Sequence, residues 1–201
     1  MYPFFESIRI LNGKPMNLEF HQTRLNKTFN IFYPNVLNHN LQKLITQTTD
    51  ISQFSGKLRF SYSSLQWKIE LIDYTSFFFN DFRMVFTQNF SYPYKFSERL
   101  WFESIKESHK EFQEVIIVKN GFITDASAYN LAFFNGTKWI TPSTPLLEGT
   151  MRASLLSLQI IHLGEIKASD LYLYKKFKLI NALNPFETSV EYNIDQIYNN
   201  L

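Results

Sequence analysis

Aromatic and β-branched side chains crowd residues 4–10, which read as a strand, and Asn12, Gly13 and Lys14 supply the turn that ends it. From Leu18 the spacing changes to that of a helix running to residue 29, with Phe20, Leu25 and Phe29 on one face and Glu19, Gln22, Asn26 and Lys27 on the other. Residues 36–45 give a second helix. Three short stretches follow, KLRFSY, LQWKIELI and FRMVFTQ, each separated by polar turn residues, and they predict an antiparallel sheet packed on the two helices. The polar and aromatic segment NFSYP, residues 89–93, reads as a joint because it ends in proline.

Beyond the joint, residues 96–112 read as a helix and residues 115–118 as a strand entering a hairpin at Asn120-Gly121. Strands at residues 131–134 and 139–141 flank Asn135-Gly136. A loop with Pro142, Pro145 and Gly149 feeds a helix that starts near Thr150, and a last strand covers residues 178–183. There is no tandem repeat.

Composition narrows the field. A chain of 201 residues with 45% hydrophobic and 19% charged residues is a globular protein, large enough for one large domain or two small ones. Cysteine is absent and the four histidines, His21, His39, His109 and His162, are scattered, so neither a thiolate nucleophile nor a metal site is expected. The net charge of +2 is spread without a basic stripe, which argues against nucleic acid as a partner. No apolar run reaches membrane-spanning length, and the opening MYPFFESIRI has neither the basic region nor the apolar segment of a leader, so a cytoplasmic protein is expected.

The chemistry lies in residues 121–152, GFITDASAYNLAFFNGTKWITPSTPLLEGTMR, which set an acidic residue, an asparagine, a Thr-Pro pair and a Gly-Thr in order before a helix. This stretch resembles the fold-type IV pyridoxal-phosphate enzymes, the class IV aminotransferase family, which includes branched-chain and D-amino acid aminotransferases and aminodeoxychorismate lyase. FFESIR and HQTRL near the start are similar to the family's opening strand and first helix, and LINALNP near the end is similar to the lyase branch. The resemblance covers nearly the whole chain. It implies an α+β, two-domain fold of the D-amino acid aminotransferase type: a small N-terminal α/β sandwich over residues 1–88, a joint at 89–94, and a larger C-terminal mixed α/β, barrel-like domain over residues 95–201. A homodimer is implied as well.

The same resemblance assigns roles. Lys95 in YPYKFSER is the implied Schiff-base lysine, whose neutral amine can attack an aldehyde and later carry a proton; a solvated surface lysine is the plain alternative. Asp125 falls where the family places a glutamate against the pyridine nitrogen, although an aspartate after a strand also suits a turn. Arg24 matches the phosphate-binding arginine, its planar fork suited to two oxygens; a solvated arginine on a helix surface is the plain alternative. Gly149 and Thr150 match a phosphate site at a helix start, where a loop glycine and an N-cap threonine are also ordinary; Asn130 matches the asparagine that orients the acid or nearby backbone, with a purely structural role beside it, and Asn181 a second phosphate contact, a position where a turn asparagine is equally ordinary.

Other polar residues keep their alternatives open. His21, one helical turn before Arg24, reads best as a histidine bonded to nearby backbone or a carboxylate. Glu6 and Arg9 fall on opposite faces of their strand and either can line the pocket mouth. Arg9, Arg59 or Arg83 can receive a substrate carboxylate. KFSER and INALNP favour a lyase that converts 4-amino-4-deoxychorismate to 4-aminobenzoate and pyruvate. The alternatives are an aminotransferase for a branched-chain or D-amino acid and a non-catalytic member. The shortness of the chain, and the lack in LRFSYS of the Arg-Gly pair common among relatives, keep those alternatives in play.

Overall fold

The structure is a computed structural model that describes residues 2–198. It divides into two units: residues up to Ser76 together with Tyr94–Glu98, and Phe77–Pro93 together with the residues from Arg99 onward.

In the first unit β1 (Phe4–Leu11) turns into the two-residue strand β2 (Lys14–Pro15), and β3 (Gly56–Tyr62) and β4 (Trp67–Ile72) complete an antiparallel sheet of order β2-β1-β3-β4. Asn12 and Gly13 both have positive φ, 47° and 75°, as a two-residue hairpin requires. The period of two along β1 sends Phe4, Glu6, Ile8 and Ile10 to one face, where Ile8 and Ile10 meet Leu58 and Phe60 of β3 and Leu25 and Phe29 of the helix α1 (Leu18–Phe32). The second helix, α2 (Leu41–Thr48), starts later than the expected residue 36. Asn40 caps it by accepting from Lys43 N, and Gln22 of α1 holds the preceding loop through Leu41 N and His39 O.

In the second unit nine strands form a mixed sheet. β5 (Phe82–Thr87) pairs in parallel with β6 (Glu114–Lys119), with α3 (Leu100–Ser108) between them in sequence. β7 (Phe122–Ala126), β8 (Asn130–Phe134), β9 (Trp139–Pro142), α4 (Thr150–Ser157), β10 (Ile161–Gly164) and β11 (Lys176–Ile180) follow. β12 (Tyr192–Asn193) pairs with β11 and β13 (Ile197–Tyr198) runs parallel to β5. Asn120 and Gly121, at φ 52° and 85°, make the expected hairpin between β6 and β7. β8 is the hinge of the topology, because its start pairs with β7, its end with β9, and its length with β11. Phe82, Ile116, Val118, Ile123, Leu131, Phe133 and Phe177 fill the core.

Two sequence expectations differ here. FRMVFTQ does not extend the antiparallel sheet of the first half; it joins the second unit through its parallel ladder with β6, a non-local pairing that strand composition does not announce. The helix expected over 96–112 is shortened to α3, because Lys95 O accepts from Phe5 N and Ser97 N donates to Pro3 O, so Tyr94–Glu98 lies extended with the first unit. The division thus falls at different residues from the boundaries 1–88, 89–94 and 95–201. Among the described residues no helix is long and apolar enough to cross a membrane.

Candidate active site

In the second unit the ladder sets Asp125 of β7 directly across from Asn130 of β8. Asn130 Nδ2 donates to Asp125 Oδ1 at 2.5 Å and to Leu147 O at 2.8 Å, and the other carboxylate oxygen accepts from Leu147 N at 3.1 Å and from Leu146 N. Three N–H groups therefore serve a carboxylate with about four acceptor positions, which leaves one direction for a further donor. Burial pushes the Asp125 carboxyl up to about 7, against the opposing pull of Asn130, the Leu147 and Leu146 amides and the charge of Arg152.

Gly149 belongs to the same knot. A Cβ on it would stand 2.0 Å from Asn130 Oδ1, so only glycine lets the chain pass the asparagine on its way into α4. Thr150, buried, opens that helix, and first-turn amides of a helix favour an anion. Asn181 follows β11, whose Ile180 pairs with Asn130. Its Oδ1 accepts from Leu183 N at 3.0 Å and Asn184 N at 3.1 Å, so the ordinary turn reading describes its oxygen, and only the amide nitrogen remains outside the turn.

Sequence reasoning missed a clamp on the turn after Asp125. Ser127 donates its N–H and hydroxyl to Glu114, and its carbonyl accepts from Arg99 Nη2 at 2.5 Å. Lys106 of α3 stands 3.6 Å from Glu114. Glu114 is only 1% exposed at the head of a strand of apolar residues; a lone acid opening an apolar run was the signal available.

In the first unit Glu6 is fully buried and does not line a pocket mouth. Arg24 of α1 donates Nε to its Oε1 at 2.9 Å and Nη2 to its Oε2 at 2.5 Å, and His21 Nδ1 meets Oε2 at 2.6 Å. Burial alone would raise the Glu6 carboxyl, but the Arg24 charge and the bonds from His21 and Arg24 outweigh it and hold the group at about 2. A carboxylate only accepts, so Nδ1 of His21 carries the proton and Nε2 is an acceptor. Burial, with the charges of Arg24 and Lys95 nearby, keeps that histidine neutral. The alternation of β1 already put Glu6 on the face of Phe4, Ile8 and Ile10, and the bonded-histidine reading of His21 is what the structure contains.

The Nζ of Lys95 lies 4.6 Å from the centroid of the Phe5 ring, and the Arg59 guanidinium carbon lies 3.9 Å from the same centroid. Arg59 Nε also donates to Ser61 Oγ at 3.2 Å. Of the three arginines offered for a carboxylate, Arg59 thus shares a ring with the lysine. Arg9 sits four cross-strand pairs along from Phe5, opposite Lys57, whereas Arg59 is two along, opposite Ser7; Arg83 belongs to the second unit, where its Nε and Nη1 are buried without a hydrogen bond among the described residues.

Taken unit by unit, the residues fit a phosphorylated pyridine aldehyde. The second unit offers a buried carboxylate with an open acceptor position beside a helix start shaped by Gly149. The first offers an amine that shares the Phe5 ring with the Arg59 guanidinium and whose charge is felt by a neutral imidazole.

The class of the protein follows from its likeness to known proteins. Residues 104–186 match the family described as amino-transferase class IV. The chain is 34% identical over 186 residues, 92% of its length and 99% of the other's, to an uncharacterized protein of Haemophilus influenzae. The crystal structure of a protein of Haemophilus somnus 129PT, provisionally assigned as a 4-amino-4-deoxychorismate lyase, superposes with a TM-score of 0.87 and 34% identity, covering 92% of this chain and 98% of that one. A pyridoxal-phosphate-bound hypothetical aminotransferase of Mycobacterium tuberculosis shares the fold, with a TM-score of 0.73 at 12% identity over 97% of this chain and 81% of its own. The chain belongs to the class IV aminotransferase family of pyridoxal-phosphate enzymes.

Proposed function

We propose that this protein is a pyridoxal-phosphate-dependent lyase that converts 4-amino-4-deoxychorismate to 4-aminobenzoate and pyruvate. The observation that carries the reading is Asp125, a buried carboxylate held by three N–H donors with one acceptor position left. The likeness to the Haemophilus somnus protein supports the lyase branch over a transferase. So do KFSER and LINALNP in the sequence.

When bound, the cofactor supplies an aldehyde that condenses with amines and a ring that withdraws electrons from the adjacent carbon. Asp125 would hold the ring nitrogen protonated, with Asn130 fixing the carboxylate. Arg24, the start of α4 at Gly149 and Thr150, and the Asn181 amide would bind the phosphate. Glu6 occupies the Nε–Nη2 edge of Arg24 and fixes its rotamer, so the phosphate would be met by the outer N–H groups of the guanidinium rather than by that fork, and less rotamer freedom is lost on binding. Lys95 Nζ would take the proton from the carbon that bears the substrate amine and return it to the methylene of the departing enolpyruvate. The atoms then balance without water, oxidant or a second substrate. Arg59 would receive a substrate carboxylate. The working form would be a cytoplasmic homodimer.

The test is to incubate the purified protein with pyridoxal phosphate, fix the adduct with borohydride and map the peptide, then assay 4-aminobenzoate and pyruvate release from aminodeoxychorismate beside amino-group exchange between an amino donor and a keto acid. Fixation on Lys95 with equimolar 4-aminobenzoate and pyruvate is the expected result. Exchange without pyruvate release would replace the lyase by an aminotransferase. A folded protein that fixes no cofactor would leave the non-catalytic reading.

A further inference from the structure

Arg152 occupies a place that simple rules advise against. It lies in the first turn of α4, where the helix dipole disfavours a cation, and it is only 6% exposed, where burial disfavours any charge. Its bonds are few for so costly a placement. Nη2 donates to Pro142 O at 2.8 Å and Nε to Thr141 Oγ1 at 3.3 Å, both at the end of β9. Local rules broken without a local gain usually mark a functional position.

The gain lies across the loop. The segment that leaves β9 at Pro142 delivers the Leu146 and Leu147 amides to Asp125, and the chain then returns through Gly149 into α4. Arg152 ties the start of this loop to its end, while its charge acts on Asp125 without either of its bonds going there.

We propose that Arg152 is a positioning residue that shifts Asp125 toward its anionic form, by the charge of its guanidinium and by pinning the loop whose amides donate to the carboxylate. The proposal deepens the cofactor reading and rests on it for its purpose. A carboxylate can keep the ring nitrogen protonated, whereas a carboxylic acid cannot. The other acidic residues of these elements do not supply this help: Glu148, in the loop before α4, acts on Arg152, and Glu114 of β6 is occupied by Ser127 and approached by Lys106. Burial and the charges of Asp125 and Glu148 set the state of Arg152 itself, burial being the larger and lowering its proton affinity.

The experiment needs no cofactor. Protein labelled with 13C at aspartate carboxyls is titrated by NMR in its cofactor-free form, with Asp125→Asn assigning the resonance. Arg152→Gln is expected to raise the Asp125 midpoint by at least one pH unit, a tenfold gain in proton affinity, and Arg152→Lys, which keeps the charge, is expected to recover at least half of that. If Arg152→Gln does not fold, Arg152→Met, which leaves no unpaired amide in the buried position, takes its place with the same expectation. An unchanged midpoint in the neutral variant overturns the proposal, as does an Arg152→Lys midpoint no lower than that of Arg152→Gln. A wild-type protein that binds no pyridoxal phosphate would remove the proposed function while leaving the Asp125 midpoints to be read as before.

Discussion

Replacing Glu6 by glutamine removes one charge from the interior of the first unit and alters almost nothing in shape. The wild-type carboxylate is fully buried and meets both the Arg24 fork and His21. Its acidity moves from the usual 4.5 to about 2, a depression which at ~1.4 kcal/mol per pH unit corresponds to about 3 kcal/mol of folding free energy at neutral pH. The sign follows from the direction. A depressed carboxylate contributes its full stability above the unfolded value near 4.5 and loses it as the pH falls toward 2. Arg24 in the Glu6→Gln protein keeps its charge with a neutral partner, and removal of one member of a buried pair costs about 3–5 kcal/mol, in agreement with the first figure. Urea unfolding followed by the tryptophans and by circular dichroism at pH 7 should therefore place the variant ~3 kcal/mol below the wild type, about 6–12 °C in Tm for a chain of this length. The second half of the test is the pH series. Wild-type stability should fall more steeply than that of the variant between pH 5 and 2.5. A variant within ~1 kcal/mol of wild type at pH 7, with a parallel profile in acid, would refute the account of Glu6 as the charged centre of the unit.

Three further outcomes are expected. Gly149→Ala would drive a Cβ into Asn130 Oδ1, and displacement of that amide should cost ~1–3 kcal/mol of stability and at least tenfold in pyridoxal-phosphate affinity, measured by melting and by cofactor titration. Arg59→Met should raise KM for the carboxylated substrate by roughly 10- to 100-fold, the worth of a charged hydrogen bond, with kcat changed far less; steady-state kinetics on both parameters decides it. Asp125→Asn should flatten the stability of the cofactor-free protein between pH 4 and 7, because the wild-type acid, raised to about 7, is charged in the unfolded chain before it is charged in the fold and so destabilises progressively over that window; denaturation at pH 4, 5.5 and 7 reads the slope.

Local signals carried much of this structure into the sequence. The Asn-Gly pairs at residues 12–13 and 120–121 predicted hairpins whose positive φ values the backbone adopts, and the α1 face with Leu25 and Phe29 faces the core. Asp125, Asn130 and Gly149 stand together because a short hairpin and a tight loop join them, which is the kind of proximity a motif records. Long-range pairings were hidden. Nothing in FRMVFTQ distinguishes an antiparallel neighbour from the parallel β6 partner, and residues 96–98 read as helix because their pairing partner, the start of β1, lies almost a hundred residues earlier. Asn181 illustrates a third case: one side chain suited both a turn and a ligand contact, and the turn claims its oxygen. Arg152 was legible only as the last letter of a motif, since the costs of burying it appear once α4 and β9 are in place.

The crossing of the chain between its units has a consequence for how the protein can be divided. Tyr94–Glu98, with Lys95, belongs to the first unit, while Phe77–Pro93, which precedes it, belongs to the second. No single cut yields two fragments that each hold a whole unit: a break after Ser76 strands the lysine on the wrong piece, and a break after Glu98 carries β5 away from β6. The same ordering applies on the ribosome. At roughly 5–20 residues per second, the first unit waits on the order of seconds for the second unit's leading strand to be synthesised before its own last segment arrives. Split-protein complementation of this enzyme at either break would need one half to lend a segment to the other, and linker insertion between units would require three joints instead of one.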